Sequence, residues 1–313
     1  MIPYFKFKPI YQERVWGGRT LETFLGRKLP GAAPIGESWE LVDRPEAQSI
    51  VVGGPMAGKT LRGLLENLPA EIMGPVWPKA RPFPILVKWL DCRDRLSVQV
   101  HPPASIAKSL GGEPKTENWY FARTEAGAAI YAGLRPGVTR ESFAQAIAAG
   151  TVDQCLKRLA VCAGDSLLVR SGTVHAIDAG NVILEIQQNS DTTYRVYDWG
   201  RAGLDGKPRA LHVRESLESL GANTAPAPRL VHGDGVLVAG PEFQLRRLEL
   251  RSGDRLEFAR GEQARILSVV GGELEGGGTL RLGDNVLLPY AGEFSFVAKA
   301  AATVLVTEGF SRA

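Results

Sequence analysis

Cysteine, methionine and histidine are scarce in this chain: three, three and four residues among 313. The cysteines, Cys92, Cys155 and Cys162, are odd in number and fit neither a disulfide framework nor a Cys-x-x-Cys metal knuckle. They read as reduced core thiols. No run approaches the ~18 consecutive apolar residues of a membrane span. The start, MIPYFKFKPIYQERVWGG, shows neither an apolar stretch of signal-peptide length nor a small-residue cleavage site, so the expected location is the cytoplasm. An excess of one charge is missing too, with 37 Lys and Arg against 34 Asp and Glu. That balance excludes a nucleic-acid footprint, which calls for a basic patch and a domain pI above about 9. It leaves room for a few cations reserved for a small anion.

What the chain has in plenty is glycine, 36 residues, and proline, 20. Both exceed the usual share. They imply many tight turns and therefore short strands rather than long helices. Hydrophobic residues at 44% and charged ones at 23% are ordinary for a globular protein and supply a sizeable core. At about 150 residues per domain the length suggests two domains.

Up to about Pro55 the chain reads as turn-rich, with short apolar runs such as Ser49–Val52. Leu61, Leu64, Leu65 and Leu68 recur at helical spacing between Lys59 and Pro69. PILVKWLD and RLSVQVHP read as two strands of a hairpin around Cys92–Asp94. Two helices are expected over Thr139–Gly150 and Thr151–Val161. Thr139 is the N-cap of the first, with no capping box because Ser142 stands three positions on. Dense β material follows, then a short helix near Val213–Leu220, a linker at 221–230, and strands with glycine turns to the end. Gly53–Thr60 satisfies the GxxxxGK[ST] phosphate-loop pattern. Pro55 removes one cradle N–H, however, and no β-α alternation follows to build a parallel sheet. The segment reads as a turn and a helix start.

A repeat lies in the β material. Gly164-Asp165, an apolar strand, Arg170-Ser171-Gly172 and His175 return with the same spacing as Gly283-Asp284, an apolar strand, Pro289-Tyr290-Ala291 and Phe294. Two related β-barrel halves follow, one bearing polar chemistry and one packed shut.

The polar chemistry sits on few residues. In SVQVH, Ser97, Gln99 and His101 alternate with Val98 and Val100, so the three polar side chains share one face. An exposed face with a solvated histidine is the simple alternative. His175 follows a glycine turn and is either a buried, hydrogen-bonded histidine or a second imidazole in the same cavity. In PKTENWYF, Lys115 and Glu117 share a face if extended. Two imidazoles, a carboxylate and an amide oxygen form a mixed N/O set suited to Zn²⁺, or less selectively to Mn²⁺, Fe²⁺ or Co²⁺.

From RVWGG through IGESWE, FPILVKWLD, LSVQVHP, KTENWY, SGTVHAI and NSDTTYRVYDW to LHVRESL, the chain resembles the type I, cupin-fold mannose-6-phosphate isomerases in their short bacterial form. The resemblance implies a mainly β fold of two cupin (jelly-roll β-barrel) halves with a small helical insertion. It implies a catalytic domain over 1–220 with the insertion around 139–161, and a degenerate, non-catalytic half over 231–313. It implies metal ligands at Gln99, His101, Glu117 and His175, one Zn²⁺ per chain replaceable by Co²⁺ or Mn²⁺, and catalytic roles for Arg195 and Lys115. Lys115 is the candidate acid/base, its pKa lowered by the metal and Arg195, with Glu185 and Asp191 as alternatives. Lys88 and Ser97 are the choices for the phosphate. Arg170 replaces a usual proline and Ala179 a frequent asparagine, which puts turn geometry in question more than the metal. The implied partner is a sugar phosphate, with no nucleic acid and no membrane, and the oligomeric state is left open. A cupin oxygenase and a non-catalytic sugar-phosphate-binding cupin are the other uses of such a fold. The cations and Gln99 argue against the first, and the complete ligand set against the second.

Overall fold

PILVKWLD builds an eight-residue strand, Ile85–Cys92, with every residue buried. In the computed structural model, which describes residues 2–221 and 227–312, it lies in a seven-stranded sheet. The spatial order is Leu230–Val231, Ser166–Val169, Glu117–Thr124, Asn181–Gln188, Ile85–Cys92, Ile35–Leu41, Ile10–Gly18. A second, five-stranded sheet runs Leu156–Ala160, Ala129–Leu134, His175–Ile177, Val98–Val100, Tyr194–Tyr197. Trp119, Phe121, Leu167 and Ile183 of the first meet Ile130, Ala132 and Ile177 of the second in one buried cluster. The result is a β-sandwich of cupin type. The outer face of the smaller sheet presents Val98, Val100 and Val196, covered by Phe143, Leu217 and Leu220 of the helices Arg140–Ala149 and Val213–Gly221.

The chain divides into two compact units. One comprises Tyr11–Ser38 with Lys88–Val231, the other Met1–Ile10, Trp39–Val87 and His232–Ala313. This differs from contiguous boundaries at 220 and 231, since N-terminal residues group with the C-terminal segment. Phe5–Lys6 pairs with Asn285–Leu288 as the edge of the latter unit's six-stranded sheet. Of the expected linker, 222–226 lie outside the described residues, and Leu230–Val231 already pairs with Ser166–Leu167.

Four local expectations are corrected. Ile85–Cys92 and Val98–Val100 do not form a hairpin but belong to different sheets. Between them, Asp94 N–H donates to Trp16 O and Leu96 N–H to Ile177 O, so the chain crosses from one sheet to the other. Residues 151–161 are not a helix. A 3₁₀ turn, Val152–Cys155, leads into the Leu156–Ala160 strand, where pairing with Ala129–Leu134 overrides the local apolar period. The Thr139 capping box is complete, because the Ser142 hydroxyl accepts from Thr139 N–H at 2.9 Å just as glutamate would. Only Cys92 is a buried thiol, Cys162 being exposed and Cys155 intermediate.

The Gly53–Thr60 segment is a turn whose Thr60 hydroxyl caps the helix Leu61–Asn67 by accepting from Gly63 N–H. The repeat is visible in backbone geometry. Asp165 Oδ2 accepts from Cys162 N–H at 2.8 Å and Asp284 Oδ2 from Arg281 N–H at 2.9 Å. Gly164 and Gly283 before them have φ of 92° and 95°, where a side chain would be strained. No described helix is long and apolar enough to cross a membrane.

Candidate metal centre

Arg195 pairs with Gln99, and Gln99 with His175, across three adjacent strands. Directly opposed residues project from the same face, so the register sets these three side chains in one row. His101 follows two positions past Gln99, and Glu117 opens its strand in the other sheet. His101 Nε2 lies 3.3 Å from Glu117 Oε2, and His175 Nε2 lies 3.3 Å from Glu117 Oε1. The Gln99 amide is 3.3 Å from His175 Nε2. Residues from three separate strands or strand ends thus converge at one point, where His101, Glu117 and His175 are buried and Gln99 is half-buried.

The tautomers suit ligation. His101 Nδ1 donates to Thr192 O at 2.7 Å and His175 Nδ1 to Thr173 O at 2.8 Å. Each ring proton is thereby held on Nδ1, and both Nε2 lone pairs face Glu117. Glu117 Oε1 is buried with no hydrogen-bond donor, so its lone pairs confront those of His175 Nε2. A cation between them removes that conflict, and the donor set fits a divalent metal ion. Burial, with Lys115 nearby, lowers the His101 pKa to about 3, and burial lowers that of His175. Both imidazoles are neutral, the form that binds metal.

Lys115 Nζ donates to Glu117 Oε2 at 2.5 Å and to His101 Nε2 at 3.2 Å. Burial favours the neutral amine, but the carboxylates of Glu117 and Glu185 outweigh it and raise the pKa. Glu185 accepts from Trp119 Nε1 at 3.0 Å, and burial raises its pKa to about 7 against the pull of Lys115 and Lys88. Lys88 Nζ stands 3.9, 3.6 and 4.0 Å from Glu37, Glu185 and Asp191. Three acids around one ammonium leave it poorly suited to anchor a dianion. Ser97 is buried beside Gln99, its Oγ 3.5 Å from the amide oxygen.

These groups border a cavity of about 560 Å³ that also receives Thr193 and Arg195. Arg195 Nη1 donates to Ala210 O at 2.8 Å, while its buried Nε has no partner. Arg14, Glu37, Arg209 and His212 line the same cavity and were not singled out from sequence. A signal existed for Glu37. Gly17 and Gly36 approach so closely that a Cβ on Gly17 would lie 2.3 Å from Gly36 N, which marks IGESWE as a strand held tightly beside the site.

A buried His, Glu, His triad with a glutamine beside it, inside an antiparallel sandwich, defines a cupin-type metal-binding protein. Residues 4–128 match the family model of the type I phosphomannose isomerase catalytic domain. The mannose-6-phosphate isomerase ManA of Bacillus subtilis is 36% identical over 92% of this chain and 94% of its own. A crystal structure of the mannose 6-phosphate isomerase from Bacillus subtilis superposes with a TM-score of 0.85 at 30% identity, covering 98% of this chain and all of that one. The chain belongs to the mannose-6-phosphate isomerase family. A mannose 6-phosphate isomerase structure bound with zinc and yttrium, 16% identical over 98% of this chain and 100% of its own, shares the fold with a TM-score of 0.73.

Proposed function

We propose that the chain interconverts D-mannose 6-phosphate and D-fructose 6-phosphate through an enediol or enediolate, with Zn²⁺ as its resident ion and Co²⁺ or Mn²⁺ able to replace it. The observation that carries this reading is the convergence of His101, Glu117 and His175 with Gln99 and Lys115, the last two lining one cavity with Glu185 and Arg195. Family membership supports the substrate, and the mixed N/O donors support zinc.

Gln99, His101, Glu117 and His175 would hold the ion, which would supply positive charge against the negative charge developing on the sugar. Glu185 takes the proton from C2 and returns it to C1, since a buried carboxyl with a pKa near 7 exchanges protons readily at neutral pH. Lys115, held as an ammonium, gives a proton to O1 and recovers the one that O2 releases, rather than acting as the base at carbon. Arg195 meets the oxygen that becomes negative in the enediolate. Lys88, Ser97 and Asp191 hold sugar hydroxyls, a role that the acids around Lys88 permit and phosphate binding does not. We assign catalysis to the unit of Tyr11–Ser38 and Lys88–Val231, and read 231–313 as a non-catalytic cupin half in a cytoplasmic enzyme. In that half the strand registers of Glu117 with Val169 and of Gln99 with His175 recur as Arg265 with Leu288 and Phe258 with Phe294. An arginine and two phenylalanines at ligand positions support the reading.

A coupled assay for fructose 6-phosphate formation, run beside metal analysis of the same preparation, tests the proposal. Turnover of mannose 6-phosphate with about one equivalent of zinc is the expected result. Metal-loaded protein without isomerase activity refutes it.

A further inference from the structure

The walls of the cavity differ in charge. Around Lys88 stand Glu37, Glu185 and Asp191, and Arg14 Nη2 holds Glu37 at 3.1 Å, so that wall carries cations and carboxylates paired with one another. The other wall is built by Arg195 and by the segment from Asp198 to His212. Its one buried carboxylate, Asp198, is shared by two guanidiniums. Arg209 spans it with Nε at 2.7 Å and Nη2 at 2.6 Å, and Arg201 Nε approaches at 3.1 Å. Arg195 forms no ion pair among the described residues. The exposed Asp205 also lines the cavity, and its Oδ1 accepts from Lys207 N–H. A dianionic group is drawn to the wall where Arg195, Arg201 and Arg209 outnumber their one buried carboxylate.

His212 stands on the cationic wall, and its tautomer is set by the backbone. Its Nδ1 accepts from Arg195 N–H at 3.2 Å, while its own N–H donates to Arg195 O at 2.8 Å. A ring nitrogen that accepts a hydrogen bond carries no proton, so the neutral ring carries it on Nε2. The ring packs against Tyr194 with centroids 6.0 Å apart. Nε2 makes no hydrogen bond among the described residues, and the ring lines the cavity.

We propose that His212 is a phosphate-contact residue, donating from Nε2–H to the 6-phosphate of the sugar on the wall completed by Arg209. The inference rests on the sugar-phosphate reading above. It adds the end of the cavity that takes the phosphate, and a neutral donor whose direction is fixed by the strand carrying Arg195. Asp198 acts as a positioning residue, since it holds Arg209 through two hydrogen bonds.

Two substitutions separate this role from a structural one. His212→Asn keeps an acceptor near the Nδ1 position for Arg195 N–H and deletes the donor at Nε2. His212→Gln reaches the Nε2 position with a donor and loses the Nδ1 acceptor. Metal-loaded wild type and variants are titrated with inorganic phosphate by calorimetry, and KM is measured for mannose 6-phosphate. With a hydrogen bond to a charged group lost, His212→Asn is expected to weaken phosphate binding roughly 10–100-fold and to raise KM in step, the metal content staying intact. His212→Gln is expected to recover most of the affinity, and it decides the matter should His212→Asn fail to fold. A folded His212→Asn that binds phosphate like wild type overturns the proposal, as does loss of binding in a folded His212→Gln. Phosphate binding that depends on His212 in a protein without isomerase activity refutes the function proposed above and leaves this contact standing.

Discussion

Lys115 and Glu117 meet head to head, with Nζ of the one 2.5 Å from Oε2 of the other. Both side chains are buried, and the ammonium also reaches His101 Nε2. An internal cation therefore shares the lone pairs that a dication needs. The repulsion between an ammonium and a dication sharing one carboxylate would be considerable even at an effective dielectric of about 20.

Lys115→Met should consequently bind divalent metal more tightly, by roughly tenfold, while kcat falls by at least about 10² as the donor to the reacting oxygen is lost. Competition with a coloured chelator measures the first effect and the coupled assay the second. Loss of metal from the variant would mean that Lys115 orders the ligands rather than opposing the ion.

Chelator treatment should abolish activity, and Zn²⁺, Co²⁺ or Mn²⁺ should restore it. His101→Ala and His175→Ala should each lose metal, whereas His212→Ala and His232→Ala should keep it, as read by elemental analysis. Because burial holds both imidazoles below their ordinary pKa, His101 at about 3, affinity should persist through the usual imidazole range and fall only at lower pH, where an imidazolium cannot ligate. Full activity of thoroughly demetallated protein contradicts the assignment.

Part of the candidate site was legible because it rests on period-two alternation, which sequence carries. Gln99 and His101 share a face by alternation, and the glycine turn before His175 marks the start of its strand. The helix expected over 151–161 failed because Leu156–Ala160 is held by its neighbour Ala129–Leu134, a partner that no local pattern reveals. The hairpin failed for a similar reason. PILVKWLD and LSVQVHP look adjacent, yet the residues between them bond to Trp16 and Ile177 in two different sheets. Lys88 was visible as one cation inside an apolar run, but the three acids that surround it come from separate strands or loops. Arg209 and His212 escaped notice because their meaning lies in Asp198 and in the Arg195 backbone, not in their own spacing.

Glu185 supplies a pH test. Its pKa is raised from 4.5 to about 7 in the folded protein. Folded Glu185 therefore binds a proton that the unfolded chain releases, and ionising it costs stability as pH rises through this window. The cost is absent below about pH 4.5 and complete above about pH 7, up to about 3 kcal/mol. Glu185→Gln, which keeps an acceptor for Trp119 Nε1, should gain stability over the metal-free wild type at pH 8 and not at pH 4.5. Denaturant titrations at the two pH values give the comparison, and a difference independent of pH would exclude the raised pKa.

Phe294 is buried in the core of the C-terminal half with Phe258, Phe296 and Val304. It occupies the place in the repeat that His175 holds in the other unit. Phe294→Ala should lower unfolding free energy by about 3 kcal/mol through the cavity it leaves. Metal content should not change. A stable but inactive variant would show that the two halves do not divide structure and chemistry in this way.

Arg195 separates transition-state stabilisation from binding. Its side chain shares a row with Gln99 and His175, and Nε is buried without a partner. Burial, together with the neighbouring Arg209, lowers its pKa, although a guanidinium stays charged at neutral pH. That fixed charge meets an oxygen that is negative in the enediolate and neutral in the bound sugar. Only an interaction stronger in the transition state than in the ground state raises the rate of the chemical step. Arg195→Ala should therefore lower kcat by about 10²–10³-fold, as loss of one oxyanion donor does elsewhere. KM and metal content should move far less. Because Arg195 holds His212 through its backbone, the truncation leaves that histidine in place and the two effects can be read apart. Lysine should restore little, since a single ammonium cannot both reach Ala210 O and face the substrate as the planar fork does. A rise in KM with kcat intact would move Arg195 from the reacting oxygen to the phosphate.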